Sequence, residues 1–151
     1  MSSAIDDPLI STFGRLVEAS GQLERRLGRA LEAQCGLPHV WFEVLIRLAR
    51  STGAQLTMGE LAEQVALTTG GITRLIDRMQ AAGYVRRQPG QADRRVSYTA
   101  ITDSGRVKLD EAATFHAANL RAAFAALSDR DRDRLDSLLD KLRDSPQPRP
   151  R

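Results

Sequence analysis

Two short groups of residues have side-chain types and spacings that suit one kind of chemistry. The first is TTGGITRLIDR, Thr68 to Arg78. On a 3.6-residue period Thr69, Gly70, Thr73, Arg74, Asp77 and Arg78 form one face, while Ile72, Leu75 and Ile76 form the other. Hydroxyls and a glycine at the head of a helix let a ligand come close. The guanidinium of Arg74 offers a fork of donors that matches the acceptor edge of guanine, and the free N–H groups of a first turn attract phosphate. Thr68 stands immediately before this face and belongs with it. The second group is QPGQADRR, Gln88 to Arg95, a Pro-Gly turn ending in an acid and two arginines between two runs that read as strands. A carboxylate at Asp93 can brace such a loop against Arg95, which leaves an arginine at the tip able to enter a narrow, electronegative groove. Arg86, Arg87 and Arg94 would flank phosphates.

Catalytic chemistry has no comparable constellation. The sequence has no Ser/His/Asp or Cys/His arrangement, no Gly-rich phosphate loop and no pair of acids spaced for proton transfer, so the chain is not expected to be an enzyme. His39, His116 and Cys35 supply only three good metal ligands without paired spacing, so neither a metal nor a cofactor is expected. Charge distribution supports the first reading. Residues 68–100 hold six arginines against two acids, whereas the segments on either side are nearly balanced. A local positive excess of that kind suits a polyanion such as double-stranded DNA.

The elements that must position these groups follow from local signals. At 151 residues, with 27% charged and 42% hydrophobic residues, the chain is one compact unit's worth of soluble globular protein. Neither a membrane span nor a secretory signal is expected, and with one cysteine no intrachain disulfide can form, which places the chain in a cytoplasmic setting. Asp7-Pro8 starts a long amphipathic helix whose apolar seam runs from Leu9 through Phe13, Leu16, Leu23 and Leu27 to Leu31, and Gly36 stops it. A second helix follows Pro38, with Trp41, Val44, Leu45 and Leu48 on one face, and Ser51–Ala54 breaks it. Leu56 to Gly83 reads as two helices around a tight turn, the second bearing the Thr69–Arg78 face. Tyr84–Gln88 and Val96–Thr99 alternate as two antiparallel strands. Thr102 caps a long helix running to Leu127 with Val107, Leu109, Phe115, Leu120, Phe124 and Leu127 as its large apolar residues; Ser128 with Asp131 opens a last helix carrying Leu135, Leu138, Leu139 and Leu142. The fold class is mainly α with a small β-wing: a winged helix-turn-helix at 36–100, helical dimerisation regions at 1–35 and 101–145, and a disordered tail at 146–151.

The run TTGGITRLIDRMQAAGYVRRQPGQADRRVSYTAITDSG resembles the winged-helix core of the MarR family of bacterial regulators. The family pattern T-R-L-[LIV]-D-R-[LM]-x-x-x-G-[LY]-[IV]-x-R and the following D-x-R wing both appear without a gap. The resemblance implies a homodimer, held by its first and last helices, that binds a pseudo-palindromic operator, often as a repressor released by a small phenolic or aromatic acid, a metal or oxidation. It places Arg74 on the recognition-helix arginine, and Asp93 and Arg95 on the wing pair. Gly70 and Gly71 depart from the serine or proline that many relatives carry there. The alternatives are a dimeric protein-interaction module without DNA binding, and a redox-responsive regulator using Cys35, although a thiolate is disfavoured at the C-terminal end of a helix. Asp77 is read as a surface acid that orients a nearby arginine. Arg15, His39 and Trp41 are the residues expected to border an effector crevice, with Trp41 otherwise read as core.

Overall fold

Asp7 opens the chain's first helix as expected: its side chain accepts a hydrogen bond from the Leu9 N–H at 2.8 Å and Pro8 takes the first helical position. In a computed structural model, which describes residues 4–146, this helix α1 spans Pro8–Cys35 and ends at Gly36 in the left-handed region, φ 62°. The described residues divide after His116 into two compact units. The boundary falls within the chain's fifth helix, and no side chain of its last helix, at 129–143, is buried.

In the first unit α2 (His39–Arg50), β1 (Gln55–Thr57), α3 (Met58–Gln64), α4 (Thr69–Ala81), β2 (Val85–Pro89) and β3 (Ser97–Ile101) follow α1 and lead into α5 (Asp103–Ala123). The sheet has the order β1-β3-β2, all antiparallel, so β3 is the central strand. The register pairs Val85 with Ile101 at the root of the hairpin and Pro89 with Ser97 at its outer end. The strand β1 is a correction to the two-stranded ribbon. Only three residues long, it is too short to show a period-2 pattern, and its pairing of Leu56 with Thr99 joins positions far apart in sequence.

Leu31, Leu37, Val44, Leu45, Leu48, Leu61, Ile72, Leu75, Ile76 and Met79 are buried in one continuous core with Val85 and Ile101. On α2 it is Phe42 that enters the core. Trp41 lies half-buried against it, its ring edge-on to Tyr84 with centroids 6.2 Å apart. Cys35 is buried in this core, where it packs as a small apolar residue.

Helix α5 differs from its expected pattern. Its buried residues are Gly105, Leu109, Ala112 and His116, whereas Val107 is exposed. A glycine faces inward at the start of the helix because the helix begins hard against the turn before β2: a β-carbon on Gly105 would lie 2.1 Å from the Tyr84 carbonyl oxygen. Thr102 secures this junction, accepting from the Gly105 N–H at 3.0 Å while its hydroxyl donates to the Gly83 carbonyl at 2.6 Å. The helix ends at Ala123, so Phe124 and Leu127 lie in the turn beyond it.

In the second unit α6 (Asp129–Arg143) begins with the expected capping box between Ser128 and Asp131. Its Leu138, Leu139 and Leu142 are exposed, as are Leu9, Phe13 and Val17 on the first half of α1. Each unit therefore leaves a large apolar stripe uncovered. Beyond Pro146, the expected tail lies outside the described residues.

Candidate nucleic-acid interface

Helices α3 and α4 form the helix-turn-helix, and each is capped by a threonine. Thr57 accepts from the Glu60 N–H at 3.2 Å while Glu60 returns a bond to the Thr57 N–H at 2.8 Å. The T-M-G-E spacing is a capping signal readable from sequence, and it marks the start of α3. Between the helices the chain turns through Ala66 at φ 52°, and the Leu67 N–H reaches back to the Ala62 carbonyl at 3.0 Å. Thr68 then caps α4, accepting from the Gly71 N–H at 3.1 Å.

Burial of Ile72, Leu75, Ile76 and Met79 fixes the rotation of α4, which leaves Thr69, Gly70, Thr73, Arg74, Asp77 and Arg78 exposed together. The Thr73 hydroxyl donates to the Thr69 carbonyl at 2.9 Å, so only its lone pairs remain for an outside partner. Arg74 and Arg78 have neither an ion pair nor a side-chain hydrogen bond among the described residues; both guanidiniums are free to bind an anion. No β-carbon stands at Gly70, and the space around that position is open.

The wing is built from its turn outward. The Gly90 N–H donates to the Val96 carbonyl at 2.8 Å and the Val96 N–H to the Asp93 carbonyl at 3.1 Å, so the tip folds back on itself. Only glycine fits at 90, where a β-carbon would lie 2.5 Å from the Asp93 carbonyl oxygen. Asp93 Oδ1 accepts from the Arg95 backbone N–H at 3.0 Å and from its Nε at 3.3 Å. The Arg95 side chain is nevertheless 92% exposed, a braced cation presented to solvent. Arg94 is exposed beside it. Nearer the root, Arg86 Nε donates to Gln88 Oε1 at 3.2 Å, and Gln88 in turn donates to Gln55 on β1. Arg87 faces the other way and pairs with Asp77 of α4 at 2.7 Å. Asp77 therefore orients an arginine, as read from its position, and that arginine is one of those expected to flank phosphate.

A crevice of about 510 Å³ lies elsewhere in the first unit, lined by residues that include His39, Phe42, Glu43, Arg47, Gln64 and His116. Phe42 and His116 have ring centroids 4.9 Å apart, and His39 stands 5.9 Å from His116. Burial, and then the neighbouring His39, hold His116 below the ordinary histidine range. Among the described residues, Arg47 Nε and His116 Nδ1 are buried without a hydrogen-bond partner. Of the three residues expected to border a crevice, only His39 lines this one. Arg15 is exposed on the first half of α1 and Trp41 packs on Tyr84, so neither of these two lines this crevice. Arg47, Gln64 and His116 come from three helices, and no local pattern announces that they meet. No cluster of three or more metal-binding side chains, and no helix long and apolar enough to cross a membrane, occurs among the described residues.

Two helices with a tight turn, a capped and exposed second helix and a braced hairpin tip define a winged helix-turn-helix protein. Residues 36–96 match the model of the MarR family. Solved structures similar to the chain include Sco3205 of Streptomyces coelicolor, a MarR family transcriptional regulator in complex with DNA. It is 28% identical with a TM-score of 0.82, over 98% of this chain and 92% of that one. AbsC from the same organism, also a MarR family regulator, is 26% identical with a TM-score of 0.81, over 93% of this chain and 95% of its own. Among curated relatives, the HTH-type transcriptional regulator YkoM of Bacillus subtilis is 30% identical over 97 residues, 64% of this chain, and the transcriptional activatory protein BadR of Rhodopseudomonas palustris is 36% identical over 95 residues, 62% of this chain. The matched part spans 62% and 54% of those two relatives' own lengths. The winged core at 36–96 matches the MarR family model, and the proteins similar to the chain are transcriptional regulators.

Proposed function

We propose that the chain is a sequence-specific regulator of transcription that binds double-stranded DNA as a homodimer. Helix α4 enters the major groove with Thr69, Gly70, Thr73 and Arg74 toward base edges, and Arg78 and the α4 N-terminus, with Thr68 at its cap, meet phosphate. The Arg95 tip reaches the adjacent minor groove, with Arg86 and Arg94 along the backbone. The observation that carries this reading is the pairing of an unpartnered Arg74 on the exposed face of α4 with a wing tip whose Arg95 is braced by Asp93 and yet 92% exposed.

The exposed apolar stripes on α1 and α6 favour a second copy of the chain as their cover, since a contiguous patch of this kind marks an interface. A twofold dimer presents its recognition helices about 34–36 Å apart, one DNA turn. Repression is the first reading of its action. Activation is the second, favoured by the likeness to BadR. A small aromatic or phenolic acid is the proposed effector, held in the crevice by Arg47 and His116 against the Phe42 ring, and the cytoplasm is the proposed compartment. Such a ligand acts by its different affinity for DNA-competent and incompetent dimers.

The test is duplex selection from a random pool, with fluorescence anisotropy of the winner at rising salt and sedimentation of the free protein. A two-half-site duplex whose log affinity falls steeply with log salt, bound by a dimer, is the expected result. Failure to enrich any sequence, or a flat salt titration, refutes it.

A further inference from the structure

The geometry points to Asp77 as the residue that positions the wing: by pairing with Arg87 it sets the hairpin, and so its Arg95 tip, relative to the recognition helix, and it does not itself touch DNA. This inference rests on the proposed DNA-binding function. Three observations carry it. Asp77 stands in the middle of α4 on the same exposed face as Arg74 and Arg78, where an acid opposes a polyanion and needs another reason to be present. Its carboxylate lies 2.7 Å from a guanidinium nitrogen of Arg87. Residues alternate along β2, so Arg87 points toward α4 on the side of buried Val85, while Arg86 and Gln88 point to the other side, where Arg86 donates to Gln88 and Gln88 to Gln55 of β1. The hairpin ladder is thereby tied on both faces: to β1 by the Gln88 to Gln55 bond, and to the recognition helix by the ion pair. Arg87 is spent on this contact, whereas Arg86, Arg94 and Arg95 remain outward. The pair is partly exposed, at 36% for Arg87 and 54% for Asp77, and a pair so placed contributes little to folding. Its removal therefore leaves a folded protein in which the consequence for binding can be read.

The experiment compares the wild type with Asp77→Asn, Asp77→Glu, Arg87→Gln and the double variant Asp77→Asn/Arg87→Gln. Affinity is measured on the duplex the wild type selects, and hydrogen exchange of the wing amides 86–96 is measured in the free protein. The strut predicts that Asp77→Asn weakens binding, about three- to tenfold, although it removes a negative charge facing DNA. Arg87→Gln weakens it to a similar degree without changing the salt slope, the double variant is no weaker than either single one, and Asp77→Glu recovers part of the loss. Wing amides exchange faster in Asp77→Asn. Tighter or unchanged binding by Asp77→Asn overturns the inference, as do losses that multiply in the double variant. A salt slope lower by about one unit in Arg87→Gln would make that arginine a phosphate contact and overturn it too. If the wild type binds no duplex, it is the proposed function that fails. The exchange measurement then decides the strut alone, and unaltered wing protection in Asp77→Asn refutes it.

Discussion

Replacing Gly105 by alanine probes the junction that holds the wing root to α5. The added β-carbon would sit 2.1 Å from the Tyr84 carbonyl oxygen and 2.9 Å from Ile101 Cγ1. An ordinary carbon to oxygen contact is about 3.3–3.6 Å, so backbone must shift by about 1 Å or more. The atoms in the way are main chain and the base of a buried side chain, which cannot swing aside. Overpacking of this kind costs about 1–3 kcal/mol. The same shift pulls the Gly105 N–H from Thr102 and the Thr102 hydroxyl from the Gly83 carbonyl, a cap whose loss costs about 0.5–2 kcal/mol. A total near 3 kcal/mol lowers the melting temperature by roughly 6–12 °C in a chain of this size. Urea unfolding followed by circular dichroism, at one fixed protein concentration so that self-association does not shift the midpoint, measures it. Gly59 of α3 is the control, because nothing lies within 4 Å of its missing β-carbon. Gly59→Ala should be neutral or stabilising by up to about 1 kcal/mol. If Gly105→Ala and Gly59→Ala behave alike within about 0.5 kcal/mol, the close approach does not exist and the argument about the junction is wrong.

Three further outcomes are expected. Arg95→Ala, at an almost fully exposed side chain, should leave urea unfolding unchanged and weaken binding to the selected duplex by about 1–3 kcal/mol; an unchanged affinity would remove Arg95 from the interface. Ala66→Gly should stabilise by up to about 1 kcal/mol, because Ala66 holds φ 52° and only glycine does so without a steric penalty; a loss of stability would show that the turn is not strained. His116 is harder to protonate in the folded protein than in the unfolded chain. Its contribution is complete above the ordinary value of 6.5 and is lost as pH falls through the lower folded value. The unfolding free energy of the wild type should therefore drop between pH 7.5 and mildly acid pH more than that of His116→Gln, and parallel profiles would refute the assignment.

Features that depend on three or four neighbouring residues were legible in the sequence. Asp7 with Pro8, Gly36, Thr102 and the Ser128 to Asp131 box each act through backbone groups one turn away, so their spacing suffices to find them. The face of α4 was legible because Ile72, Leu75, Ile76 and Met79 keep a helical period, which fixes the opposite side as well. Asp93 and Arg95 are two residues apart, and their pairing is local. What depends on distant partners was not visible. Strand β1 exists because β3 pairs with it, and the glycine at the start of α5 is required by the nearby Tyr84 carbonyl, where size matters more than hydrophobicity. Arg87 looked like its neighbours in an arginine-rich segment, and only the approach of α4 separates its role from theirs. The crevice residues Arg47, Gln64 and His116 share no helix, so their meeting is a property of packing alone.

The sheet is three strands wide between Tyr98 and Ala100, yet past the pairing of Pro89 with Ser97 the hairpin stands without a third strand, held by its own turn. Stiffness therefore falls off from base to end, as in a cantilever. Lengthening the stretch at Gln91 and Ala92 would change how far the end extends without disturbing the ladder beneath it, so the reach of the tip can be altered by editing a handful of codons.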